Sequence, residues 1–329
     1  MPPKVSIIMC AYNEEKFVKS SIESIRASIS YPHEFIFIDD HSTDRTLNIV
    51  AEMPDITIDQ PDKRSGVAMC RELGYSWAKG DIIMFFDAHV WITMRHSFDV
   101  LIKEAENHEA LIVPSFSFIK EENGKLPDVF PSDDFKTNYG SGLSFCFKRY
   151  WFYLNVDRRR RVYLRPRFAF HAPGATCTRE VYDKVRGWTP LPGFWGGNDA
   201  LFSIKLFMMN IPILSIPSAH LFHFAKRFSA RQMPSAHEAV NRVLGARLSF
   251  SDEMFQDFWL PAFEARYGGR MQDGSMDINE PWILKERDKI LQNYTRPESE
   301  FMEEFVTREW NIYKEEGKDR DVTVREGKK

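Results

Sequence analysis

The sequence predicts an α/β fold with a doubly wound, mostly parallel sheet flanked by helices, followed by a helical extension. Three observations lead there. Short apolar runs recur at residues 5–11, 35–38, 56–58 and 81–88, each about one strand long. The segments between them carry apolar residues at helical spacing, as at Val18, Ile22, Ile25 and Ile29. The run at 82–90 lacks polar alternation up to Asp87, which suits a central strand covered on both faces. Strand and helix alternating in this rhythm build a parallel sheet through right-handed crossovers.

Val5 to Ala11 is the first strand, followed by Tyr12-Asn13-Glu14-Glu15 and a helix. Phe35-Ile36-Phe37-Ile38 is the second and runs into Asp39-Asp40-His41-Ser42-Thr43-Asp44. Ser42 or Thr43 is expected to cap the next helix, which reaches about Met53. Residues 56–58 form a third strand, 66–79 a helix and 81–88 a fourth strand. Residues 110–116 are a further strand, and 120–140, with Gly, Pro, Asn and Asp, read as a loop. Helical spacing returns at 179–185 and, after Trp195-Gly196-Gly197-Asn198-Asp199, at 201–208. Residues 211–216 are a strand leading into Pro217-Ser218-Ala219-His220-Leu221-Phe222-His223. Beyond about residue 228 the chain reads as helices at 235–250, 252–267, 281–293 and 297–315, ending in a charged stretch at 314–329. Two domains are therefore expected, residues 1–227 and 228–329.

Composition narrows the class. Lys plus Arg is 44 and Asp plus Glu is 47, a net charge of −3, which argues against nucleic-acid partners. Cys10, Cys70, Cys146 and Cys177 are scattered and read as small core residues of a reducing compartment. A strand starting at Val5 leaves no signal peptide. No apolar stretch approaches the roughly 20 residues needed to span a bilayer. The expectation is a soluble, cytoplasmic protein with no transmembrane segment. The basic run Arg158-Arg159-Arg160-Arg161 is a solvated face, or a contact for an anionic substrate or membrane surface.

The fourth strand ends on Asp87-Ala88-His89, a carboxylate and an imidazole at i, i+2. On an extended chain both project to one side and can reach one ion. Open α/β sheets bind ligands at the carboxyl ends of their strands. The loops carrying Asn13, Asp39-Asp40 and Asp87-His89 thus converge as a nucleotide site in outline.

Taken together, Ser6-Ile7-Ile8-Met9-Cys10-Ala11-Tyr12-Asn13-Glu14, Ile38-Asp39-Asp40-His41-Ser42-Thr43-Asp44 and Gly80-Asp81 leading to Phe86-Asp87-Ala88-His89 resemble family 2-type glycosyltransferases with the GT-A fold. The resemblance spans roughly residues 4–227. His89 stands where the family commonly has Asp, and Asp-x-His is similar to the polypeptide N-acetylgalactosaminyltransferase branch. Trp195-Gly196-Gly197 resembles that branch's Trp-Gly-Gly-Glu-Asn, and residues 217–223 resemble its Pro-to-His segment. The branch's lectin repeats are missing from the last hundred residues, so its substrate is not carried over.

The resemblance implies a metal-dependent transferase that moves a sugar from a nucleotide-sugar donor, UDP-linked, to a hydroxyl on a glycan, protein or lipid-linked acceptor. Asp87, His89 and His223 are the expected metal ligands, with His220 competing for the third place. Mixed oxygen and imidazole ligation favours Mn²⁺ over Mg²⁺, with Zn²⁺ or another divalent ion open. Ala11 and Tyr12 would border the base, Asn13 and Glu14 would belong to the same donor-binding set, and Asp40 or Asp39 would accept the uracil imide. Arg71, Asp87 and Ala88 would lie near the pyrophosphate. Trp195, Gly196 and Gly197 would let backbone approach the donor sugar or acceptor.

Asn198-Asp199 bears on the mechanism. Inverting family members place a basic Asp near the start of this helix, which Asp199 matches, whereas the retaining branch has Glu then Asn. Inversion with Asp199 as base is the favoured reading and retention the alternative. Residues 225–234 form a lid or a linker. The extension is an acceptor platform or a homo-oligomer contact. A nucleotidyltransferase would need a Gly-rich phosphate loop after the first strand, where this chain has Ala-Tyr-Asn-Glu-Glu. A non-catalytic sugar-nucleotide binder is the remaining rival.

Overall fold

The structure, a computed structural model, describes residues 4–119, 137–143, 149–154, 165–167, 169–224, 235–264 and 277–304. Its strands are β1 (Val5–Ala11), β2 (His33–Asp39), β3 (Ile56–Asp59), β4 (Ile82–Asp87), β5 (Val90–Trp91), β6 (Leu111–Ile119), β7 (Thr137–Leu143), β8 (Arg149–Leu154), β9 (Arg165–Arg167), β10 (Ala175–Thr178) and β11 (Ile213–Phe224). Helices α1 (Val18–Ala27), α2 (Thr46–Ala51), α3 (Val67–Trp77), α4 (Asp99–Asn107), α5 (Arg179–Lys184), α6 (Asn198–Met208) and α7 (Ser235–Ser249) flank them.

The strands form one sheet whose main path runs β3-β2-β1-β4-β10-β6-β11-β5. The β3-β2-β1-β4 half is parallel, and β11 is parallel to β6. Between these two parallel groups β10 lies antiparallel to both β4 and β6.

Alternation along β1 and β4 explains their apolar runs. Val5, Ile7, Met9, Met84 and Phe86 face one core with Ile22 and Leu101 of α1 and α4. Ile8, Ile83 and Phe85 face a second core with Cys70, Tyr182 and Phe202 of α3, α5 and α6. Both faces are covered, so most positions of the two strands are apolar, the exceptions being Ser6, which bonds Glu34 and the Gly80 amide, and Asp87 at the end of β4.

The expected elements shift in identifiable places. Helix α2 begins at Thr46 rather than after Ser42 or Thr43, and it is Asp44 Oδ1 that accepts the Thr46 amide, at 2.9 Å. The Ser42 hydroxyl is spent on the Asn13 amide instead, at 3.0 Å. Residues 137–140, expected in a loop, belong to β7. β11 continues past residue 216 to Phe224, with a register shift between Ile216 and His220. His89 sits in the turn after β4 rather than on an extended strand.

The C-terminal helices do not stand apart from the sheet domain. Ala200, Ile204 and Met208 of α6 share a core with Val243, Phe250, Trp259 and Phe301. Leu201 packs with Leu244, Leu248 and Ile283. Among the described residues no helix is long and apolar enough to cross a membrane. The basic run 158–161, the segment 225–234, Cys146 and everything after residue 304 lie outside the described residues.

Candidate active site

The loops after β1 and β2 are tied to one another by hydrogen bonds. Asn13, at φ 54°, accepts the Thr43 amide on its Oδ1 at 2.8 Å. The Glu14 amide donates to Thr46 Oγ1 at 2.7 Å, and the Asp40 amide donates to the Ala11 carbonyl at 2.8 Å. These bonds use up Asn13 and the backbone beside Tyr12 as scaffold, and fix where the neighbouring side chains point. Ala11 and Ala88 are buried against the same core.

Ligand atoms of Asp87, His89 and His223 lie within 4.8 Å of one another, so this group could hold a metal ion. Sheet pairing delivers the third member: β11 runs antiparallel to the short strand β5, with His223 opposite Val90. His223 Nε2 is 3.4 Å from Asp87 Oδ2, and the His89 and His223 rings meet edge-on at 4.8 Å. Two nitrogens and an oxygen at these separations suit a divalent ion that accepts mixed ligation. His220, the rival, points elsewhere, its Nδ1 2.8 Å from Ser115 Oγ. A third imidazole, His171, stacks edge-on against His223 at 4.7 Å and carried no sequence signal.

The carboxylates of the site share one arginine. Arg71, 3% exposed, donates from Nη2 to Asp87 Oδ1 at 3.1 Å, and its Nη1 lies 3.6 Å from Asp199 Oδ1. Burial works against ionising Asp87. The hydrogen bond from His223 and the positive charge of Arg71 overcome it and hold the carboxyl well below the usual carboxylate range. Beneath the guanidinium lies the Trp188 ring, at 4.3 Å. The Trp188 amide is in turn held by Glu72 Oε1 at 2.5 Å, and Tyr182 donates to the same oxygen. None of this support was visible in the sequence, because Trp188 and Glu72 are 116 residues apart.

Asp39 and Asp40 are both buried, with different partners. Asp39 Oδ2 accepts from the Ser42 amide at 2.9 Å and from Gln60 at 2.7 Å, and its Oδ1 has no hydrogen-bond partner. Asp40 accepts the Ser65 and Gly66 amides at 2.7 and 3.1 Å. Burial pushes the Asp40 carboxyl up, against those amides. Arg64 lies over the Tyr12 ring at 3.5 Å and over the Phe194 ring at 4.5 Å, joining the loop after β1 to the segment before Trp195.

Trp195-Gly196-Gly197 rests against α7. Gly196 and Gly197 have φ of 90° and 76°, values that favour glycine. A Cβ on Gly197 would meet the Asn241 backbone carbon at 2.9 Å. Asn241 exchanges hydrogen bonds with Gly193 and donates to the Gly196 carbonyl at 3.0 Å. The glycines are thus required here by a loop that a buried asparagine of the extension holds down. That loop delivers Asn198 and Asp199 to the first turn of α6.

The curled, mostly parallel sheet flanked by helices, with an Asp-x-His pair, a third histidine and a buried Asp-Asp pair at its strand ends, places the chain in the GT-A class of α/β folds. The glycosyl transferase family 2 model matches residues 6–186, and the chain belongs to that family. Human polypeptide N-acetylgalactosaminyltransferase 10 is 24% identical over 249 residues, covering 71% of this chain and 40% of its own length. N-acetylgalactosaminyltransferase 7 of Drosophila melanogaster is 24% identical over 306 residues, covering 87% and 50%. The chain therefore spans about half the length, or less, of these curated relatives. Among solved structures, GalNAc-T7 with UDP, GalNAc and Mn²⁺ superposes with a TM-score of 0.72 at 17% identity, covering 95% of this chain and 58% of that one. S. aureus TarS in complex with UDP-GlcNAc gives 0.51 at 16%, covering 88% and 81%.

Proposed function

We propose that this protein is a metal-dependent glycosyltransferase that moves a sugar from a UDP-sugar to a hydroxyl of a glycan, protein or lipid-linked acceptor. The observation that carries the reading is the convergence of Asp87, His89 and His223 beside Asp199, with Arg71 between the two carboxylates. Support for UDP and Mn²⁺ comes from the solved relative that holds both. Family membership leaves the nucleotidyltransferase reading without a basis.

In this reading Asp87, His89 and His223 would hold the divalent ion, which when bound would supply Lewis-acid neutralisation of the departing nucleoside diphosphate. Arg71, seated over the Trp188 ring, adds a second positive charge beside Asp87. Asp39 or Asp40 accepts the uracil imide; Asp39 Oδ1 is the carboxylate oxygen of the pair with no protein partner. Asp199, 14% exposed, takes the proton of the acceptor hydroxyl as it attacks, which gives inversion. Retention is the second reading, favoured by the Asp-x-His ligand pair shared with the N-acetylgalactosaminyltransferase branch. The C-terminal helices, which hold the Gly193–Gly196 loop through Asn241, border the acceptor side.

The test is Asp199→Asn. UDP affinity in the presence of Mn²⁺ should stay at the wild-type value while transfer falls about 10²–10⁴-fold. Full transfer activity in that variant would remove Asp199 as the base, and product stereochemistry by NMR then separates the two readings.

A further inference from the structure

Glu14 closes the strand-end motif Tyr12-Asn13-Glu14, whose residues the resemblance assigns to donor binding. Its carboxylate is 5% exposed, and Oε1 lies 2.9 Å from Nδ1 of His89. The backbone around it is fixed from three sides. Its amide donates to Thr46 Oγ1 at 2.7 Å. Its carbonyl accepts the amides of Phe17 and Val18, at 2.8 and 2.9 Å. Glu14 is therefore held at one end by the start of α1 and at the other meets the imidazole of the turn after β4.

We infer that Glu14 is a positioning residue for the metal site, one that sets the tautomer and the aim of His89. A carboxylate only accepts, so the bond places the His89 proton on Nδ1 and leaves the Nε2 lone pair for the ion. Imidazole ligands are commonly oriented this way by a carboxylate on the other ring nitrogen, and losing that partner costs 10–100-fold in metal affinity. A carboxylate in place of the His89 imidazole would face the buried carboxylate of Glu14, and two like charges at that range oppose each other. His89 and Glu14 are thus one unit, 75 residues apart in the chain.

The inference rests on Asp87, His89 and His223 holding the ion, and the experiment separates the two claims. Mn²⁺ binding to the full chain is measured by EPR without donor or acceptor, on wild type, Asp87→Ala, Glu14→Gln, His89→Asp and the double variant. Thermal unfolding of each confirms the fold. Glutamine keeps the shape of Glu14, but its amide can also donate to Nδ1 and drive the proton onto Nε2. Glu14→Gln is expected to weaken Mn²⁺ roughly tenfold or more in the wild-type background. In the His89→Asp background the same change removes a repulsion, so it should strengthen Mn²⁺ binding. That reversal of sign is what a merely structural glutamate cannot produce. Unchanged Mn²⁺ affinity in Glu14→Gln, or the same loss in both backgrounds, overturns the role of Glu14 while leaving the site intact. Unchanged affinity in Asp87→Ala overturns the site itself.

Discussion

Arg71 is the residue on which the charge balance of the cleft turns. It bridges Asp87 and Asp199 from a buried seat on Trp188. Removing one partner of a buried pair costs about 3–5 kcal/mol, because the other charge stays behind without compensation. Arg71→Met should therefore lower stability by about 3 kcal/mol in denaturant unfolding and weaken UDP binding as well. Arg71→Lys keeps the charge but loses the planar fork and the stacking, so it should recover stability better than activity. Of these contacts the sequence disclosed only the acids and the arginine as separate candidates. The pairing of Arg71 with Asp199 crosses from α3 to α6, and no local spacing encodes it. The Glu14 contact with His89 escaped for the same reason, although both residues were named.

At the scale of elements, helix α6 does two jobs. Its first turn carries Asp199, and its buried Lys205 ties the preceding segment by donating to the Gly187 carbonyl at 2.5 Å and to Thr189 Oγ1 at 3.1 Å. Burial pushes the Lys205 ammonium down to about 7 from its ordinary 10.5. Between those values the unfolded chain binds more protons than the folded one, so stability rises with pH from about 7 towards 10. A Lys205→Met variant lacks this dependence. The unfolding free energy of wild type relative to that variant should climb over the same window, and urea titrations at pH 7 and 9 read it. Gly197→Ala places a Cβ against the Asn241 backbone at a left-handed φ, and should cost about 1–3 kcal/mol and displace the start of α6. Strands β1, β2 and β4 were legible because their two-sided burial leaves an apolar run. β10 was not, since its four residues, Ala175–Thr178, pair antiparallel with strands distant in sequence. The start of α2 was misplaced because Ser42 serves another loop, a tertiary use that outweighs capping propensity.

For the whole molecule, the C-terminal helices complete the core that α6 begins. Cutting the chain after residue 227 would uncover Ile204, Met208 and Leu201 and release the loop that Asn241 holds. Burial of such side chains contributes about 1.5–3 kcal/mol each, so the shortened chain should be insoluble or lose cooperative unfolding. The central claim spans the molecule too, since its three ligands come from the end of β4, the turn after it and β11. Calorimetric titration of UDP with and without Mn²⁺, on wild type and Asp87→Ala, tests it most directly. Tight binding only with Mn²⁺ in wild type, lost in Asp87→Ala, is the predicted result. UDP affinity that is the same with and without the ion, or that survives in Asp87→Ala, would contradict it.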